Sequence, residues 1–163
     1  MPTNLYGPND NFNLKHSHVI PSLINKFHFA KNNKLPAVEI WGTGKPLREF
    51  LHVDDLADAC IFFMEKEKKE LDQVIKEYSR QNYFFNVGTG KDISIKNLAF
   101  LLKEILGFDG KIIFNESMPD GTPQKLLDIS LMNSLGWTSK ISLKEGLLKT
   151  YNWYENNLDN IRT

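Results

Sequence analysis

One stretch constrains this chain more than any other: Trp41-Gly42-Thr43-Gly44-Lys45-Pro46-Leu47-Arg48-Glu49-Phe50-Leu51-His52-Val53-Asp54-Asp55-Leu56-Ala57. A glycine-rich turn leads into residues 49–53, a short apolar-rich run with strand character. Helical spacing begins directly behind it, with Asp54 and Asp55 where the positive end of a helix dipole favours carboxylates. Strand followed by helix is the unit whose alternation along a chain argues for an α/β arrangement. The spacing puts Ala57, Cys60, Ile61 and Met64 on one stripe, and the small Cys60 side chain is expected to be buried in that helix.

The rest of the chain repeats the alternation. Ile20, Leu23, Ile24, Phe27 and Ala30 recur at helical spacing, with Pro21 in the first turn, where a missing N–H is tolerated. Ser94 reads as an N-cap for a helix that buries Ile95, Leu98, Ala99, Leu102 and Leu106 and stops at Gly107. Ser142-Leu143-Lys144-Glu145 has the spacing of a capping box and opens a fourth helix through Leu147, Tyr151 and Tyr154. Strand-like runs lie at residues 38–41, 83–87 and 111–114. Residues 65–81 are charge-rich and read as a solvated helix or loop, to which no function is given.

At 163 residues the chain can bury one real core, and 41% apolar with 25% charged residues is ordinary for a globular protein. Twenty basic and twenty acidic residues cancel. No net field therefore draws nucleic acid or an anionic membrane, and an anionic ligand must be held by a few placed cations. The single cysteine excludes an internal disulfide, so a reducing, cytoplasmic setting is expected. No run approaches the roughly 18 apolar residues of a membrane span, and the opening residues do not read as a leader. His16 and His18 stand two residues apart, which does not make a metal site; His16 reads as solvent-facing.

Gly42-Thr43-Gly44 and Gly88-Thr89-Gly90 complete neither the dinucleotide fingerprint nor the P-loop pattern, and both read as turns after strands. Arg48 has two readings on composition alone. It can fork two oxygens of a pyrophosphate from a strand edge, or it can be a surface arginine paired with Glu49.

The opening stretch resembles the G-x-G-x-x-x-R-(D/E)-F-(V/L)-H-V-x-D-(L/V)-A run of extended short-chain dehydrogenases that act on nucleotide sugars. Pro2-Thr3-Asn4-Leu5-Tyr6-Gly7-Pro8 with Ser17-His18-Val19-Ile20-Pro21 is similar to the post-catalytic loop of the GDP-L-fucose synthase family. Pro119-Asp120-Gly121-Thr122-Pro123-Gln124-Lys125-Leu126-Leu127-Asp128 resembles that family's late substrate loop, with Gln124 where arginine is expected. The resemblance covers nearly the whole chain apart from the surroundings of residues 66–82.

The family epimerises GDP-4-keto-6-deoxy-D-mannose at C3 and C5 and reduces C4 with NADPH. The resemblance implies an α/β substrate-binding domain over residues 9–163, with residues 1–8 as the last portion of a Rossmann domain. It implies that His18 is the acid of epimerisation, a task that suits a side chain titrating near neutrality; the alternative is a loop histidine with a structural hydrogen bond. Pro2, Thr3, Asn4 and Leu5, with His18, would contact the nicotinamide end of NADP(H), largely through backbone. Val19, Lys26, Trp41, Arg48, Asp120 and Lys125 would bind the GDP-sugar. Lys26 stands where the family often has arginine and keeps the charge without the fork. Trp41 is alternatively a core tryptophan closing a strand.

The family's serine, Tyr-x-x-x-Lys pair and cysteine base belong to a segment preceding these residues, and Tyr78, Tyr151 and Tyr154 have no lysine four positions on. This stretch is therefore expected to be one part of a longer enzyme, inactive alone, not binding NADPH tightly, and dimerising only through the missing half. Two rival readings stand beside it: another nucleotide-sugar epimerase or dehydratase, and a stand-alone GDP-sugar-binding module.

Overall fold

A computed structural model describes residues 1–14, 16–78 and 84–161. It is an α/β structure organised around β3 (Leu47–His52). β1 (Asn4–Tyr6) runs parallel to the second half of β3, Asn4 opposite Phe50 and Tyr6 opposite His52. Along the first half lie β4 (Asp92–Ser94), antiparallel, and β6 (Gln124–Lys125), parallel. A separate parallel pair joins β2 (Ala37–Trp41) to β5 (Lys111–Asn115). In β2 the pleat buries Val38 and Ile40 and leaves Glu39 and Trp41 outside.

The predicted helices form: α1 (Val19–Asn32), α2 (Val53–Met64), α4 (Ile95–Leu106) and α6 (Leu143–Asn156). Ser94 Oγ accepts from Asn97 N at 3.1 Å, and Gly107 closes α4 in the left-handed region. Ser142 Oγ accepts from Glu145 N and starts α6. The charged segment is also helical over α3 (Lys68–Glu77), where Val74 and Ile75 are buried; residues 79–81 lie outside the described residues. The short α5 (Ser130–Ser134) completes the helices described. One core packs α1, α4 and α6 through Phe27, Leu98, Leu102 and Leu147. A second joins α2, α3 and α5 to β3 through Leu51, Ala59, Val74 and Met132.

Two expectations are corrected. Of the expected strand at 83–87, only Val87 pairs, in a parallel bridge to Pro2, with Thr3 N donating to its carbonyl at 3.0 Å; Tyr83 lies outside the described residues. The α2 stripe is reversed: Cys60 is exposed, as are Ala57, Ile61 and Met64, the last at 85%. The buried face carries Asp55 and Ala59, with Phe62 and Phe63 packed on the second core. The cause is a carboxylate that outweighs apolar counting. Asp55 accepts from Lys140 N at 3.1 Å and Ile141 N at 3.0 Å, bonds that offset its desolvation and turn the acidic side inward.

Candidate functional site

The N-terminus of α1, the end of β2, the start of β3 and residues 119–121 enclose a cleft of about 340 Å³. Val19, Lys26, Trp41, Arg48 and Asp120, all singled out from the sequence, line it. Trp41 is 62% exposed, so it is not a core tryptophan. Lys26 Nζ donates to Glu39 O at 3.1 Å and lies 5.6 Å from the centroid of the Trp41 ring. Burial pushes the Lys26 ammonium below its ordinary range, with the Glu39 charge opposing.

Arg48 is half-buried, and its Nη1 donates to Leu47 O at 2.7 Å. It is not paired with Glu49, because the strand's alternation sends Glu49 to the interior, fully buried. Asp120 lines the cleft but spends both oxygens on the glycine turn. Thr43 N reaches Oδ1 at 2.9 Å and Thr43 Oγ1 reaches Oδ2 at 2.6 Å. The Thr43 hydroxyl, then its N–H, hold the Asp120 carboxyl below the usual range. Lys125 sits outside this lining, exposed on β6 opposite Arg48. Both glycine pairs are turns, with Gly42, Gly44 and Gly90 in the left-handed region.

His18 is the N-cap residue of α1 and exposed, and its ring makes no capping hydrogen bond. It borders two cavities. One, about 260 Å³, is shared with Val19 and Arg48 and continues from the cleft. The other, about 480 Å³, is lined by Thr3, Asn4 and Leu5 together with Asp10. Pro2 is not among its lining residues; it is engaged in the bridge to Val87. His18 thus stands between the residues expected to hold substrate and those expected to face a cofactor. His16 is exposed, as expected.

Three residues were not legible as site residues. Asp10 shares the larger cavity with His18; burial raises its carboxyl, while the Asn11 N–H at 2.7 Å and the charge of His18 oppose the rise. Ser17 Oγ, on the cleft wall, is buried without a hydrogen-bond partner among the described residues. Glu49 enters the sequence reading only as the surface partner in one of the two alternatives for Arg48. The signal that could have found it is the strand's own period of two, which must put Arg48 and Glu49 on opposite faces. No group of three or more metal-ligating side chains occurs among the described residues. No described helix is long and apolar enough to cross a membrane.

The model of the NAD dependent epimerase/dehydratase family matches residues 1–78. Similar proteins include GDP-L-fucose synthase 1 of Arabidopsis thaliana, 52% identical over 160 residues that cover 98% of this chain and 46% of that protein. GDP-L-fucose synthase of Escherichia coli K12 is 46% identical over 162 residues, covering 99% of this chain and 50% of that protein. A crystal structure of a GDP-L-fucose synthetase from Naegleria fowleri bound to NADP superposes with a TM-score of 0.85 at 28% identity, over 99% of this chain and 47% of that one. The chain spans about half the length of the curated relatives it matches.

Proposed function

We propose that this chain is the GDP-sugar-binding part of a GDP-L-fucose synthase, which epimerises GDP-4-keto-6-deoxy-D-mannose at C3 and C5 and reduces C4 with NADPH. The observation that carries the reading is one cleft that gathers Lys26, Trp41 and Arg48 and continues past Val19 to His18. Two cations against an exposed indole offer charge to a diphosphate and a flat face to a base or sugar. Ser17 lines the same cleft, its Oγ buried behind the wall without a partner among the described residues. His18 supplies the proton that epimerisation must return to carbon, and Asp10 is the carboxyl that shares its cavity.

The residues present fit the nicotinamide end of NADP(H). Thr3 Oγ1 and Asn4 Nδ2 are committed to Glu49 O at 3.2 and 2.8 Å, so β1 offers a cofactor a fixed surface beside His18. When bound, NADPH supplies the hydride for C4. In this reading residues 1–8 belong to the cofactor-binding domain and residues 9–163 carry the substrate domain. The intact enzyme is a cytoplasmic homodimer paired through its cofactor half, and the 163-residue chain alone binds GDP but does not turn over NADPH.

Calorimetry with GDP tests the reading. Arg48→Ala removes a charge-assisted, bidentate donor and should weaken binding about tenfold or more. Equal affinities in the two proteins would remove Arg48 from the site.

A further inference from the structure

Glu49 has no solvent-exposed surface, yet it sits on β3 directly after Arg48. Its Oε1 accepts from Thr89 N at 2.7 Å and Gly90 N at 2.8 Å, and its Oε2 accepts from Leu127 N at 3.0 Å. A buried carboxylate is costly unless hydrogen-bonded, and three backbone donors offset that cost. The approach at Gly88 is so close that a Cβ there would lie 2.3 Å from Oε1. The backbone carbonyl of Glu49 accepts from Thr3 Oγ1 and Asn4 Nδ2. One residue thus joins the strand beside His18, the 88–90 turn and the far end of the 119–127 loop.

That loop forms part of the cleft. Asp120 is fixed to Thr43, Pro123 O accepts from Leu47 N at 2.8 Å, and a Cβ on Gly121 would lie 2.8 Å from Arg48 Nη2. The loop therefore lies against the guanidinium; β6 pairs its residues 124 and 125 with Leu47 and Arg48, and the Leu127–Glu49 bond beyond that pairing is its last anchor on β3. We propose that Glu49 is a positioning residue of the candidate site. It holds the 119–127 loop in register on β3, so that Arg48 and the loop present one surface to a nucleoside diphosphate, and it does so without touching the ligand. The ligand part rests on the reading of the cleft given above; the loop part does not.

Glu49→Gln separates the contacts. The amide oxygen still accepts from Thr89 and Gly90, but an NH₂ group then faces the Leu127 N–H, donor against donor. The expected result is faster hydrogen exchange at Leu127 and across residues 119–126, with α1 and α4 still protected, and GDP binding weakened about five- to tenfold. Asp55→Asn is the control: its carboxylate holds residues 140 and 141, so stability falls while the GDP affinity stays at the wild-type value. If Glu49→Gln does not fold, Leu127→Pro deletes the same N–H from the loop side and should weaken GDP binding alike. Unchanged exchange at Leu127 in Glu49→Gln overturns the anchoring role, whether or not GDP binds. Raised exchange with wild-type GDP affinity overturns the positioning role. A wild-type chain that does not bind GDP overturns the reading of the cleft and the ligand part with it, while the exchange result still decides whether Glu49 fixes the loop.

Discussion

The regions around Glu49 and Asp55 solve one problem in the same way and then diverge. Each buries a carboxylate and satisfies it with backbone N–H groups from distant segments, Thr89, Gly90 and Leu127 in one case, Lys140 and Ile141 in the other. Around Asp55 most of the matching continues: Asp58 takes Trp137 Nε1 at 2.8 Å and Lys140 Nζ at 2.7 Å, and the second core closes over Leu51, Ala59 and Met132. The exception is His52 Nε2 at the start of α2, buried without a partner among the described residues. Around Glu49 it stops short. Ser17 Oγ has no partner among the described residues, Trp41 is mostly exposed, and burial depresses Lys26. Unmatched polar groups and an uncovered aromatic cost stability when they stand alone, and they are what a ligand can complete. The α2 side is built to hold, and the β3 side to bind.

The contrast is broken most directly by Asp55→Ala. It strands two part-buried N–H donors and empties a buried site, and chemical denaturation should report a loss of about 2 kcal/mol or more. A loss no larger than that of an ordinary surface change would show that the Asp55 side is not the rigid one.

Acid should produce a smaller effect. Burial lowers the ordinary pKa of His52, with the Asp54 charge opposing, and burial likewise lowers that of His28, against the charge of Glu155. A histidine held below its unfolded value favours the neutral form in the folded state. Its contribution is fully present above about pH 6.5 and is lost as pH falls through the folded value. His52 Nδ1 accepts from Asp54 N at 3.2 Å at the start of α2, so protonation also removes the helix cap. Melting temperatures should fall between pH 7 and 5.5; a flat profile there would show that neither histidine changes environment on unfolding.

The smallest effect belongs to Cys60→Ser. With the thiol exposed, stability should move by less than about 0.5 kcal/mol. A clear destabilisation would restore the buried face that periodicity alone assigns to α2.

That last case shows where sequence was readable and where it was not. Helices whose apolar stripes meet a core of like character, α1 and α4, were legible because burial of Ile24, Phe27, Leu98 and Leu102 is decided by apolar area. In α2 the deciding contacts are polar and long-range, and no local pattern shows that Lys140 and Ile141 will present their N–H groups to Asp55. The cleft followed the same division. Arg48 and Trp41 belong to the 41–57 stretch and could be named from it, and Lys26 stands where the family resemblance implies a cation. Strand alternation alone puts Glu49 on the face opposite Arg48, but the donors that let a carboxylate be buried there come from residues 89, 90 and 127, which no local pattern shows.

The placement of β3 also governs how the chain reaches this state. Its neighbours come from residues 4–6, 92–94 and 124–125, so its pairing draws on segments more than 40 residues away on either side. Such separations slow folding, because long loops must close before any contact rewards them. As the chain leaves a ribosome, Phe50 and Leu51 emerge well before Leu127, and through that interval β3 presents an apolar strand with an open edge. Until residues 124–127 exist, the first half of β3 lacks one of its partners, so the late segment closes a strand edge as well as walling the cleft.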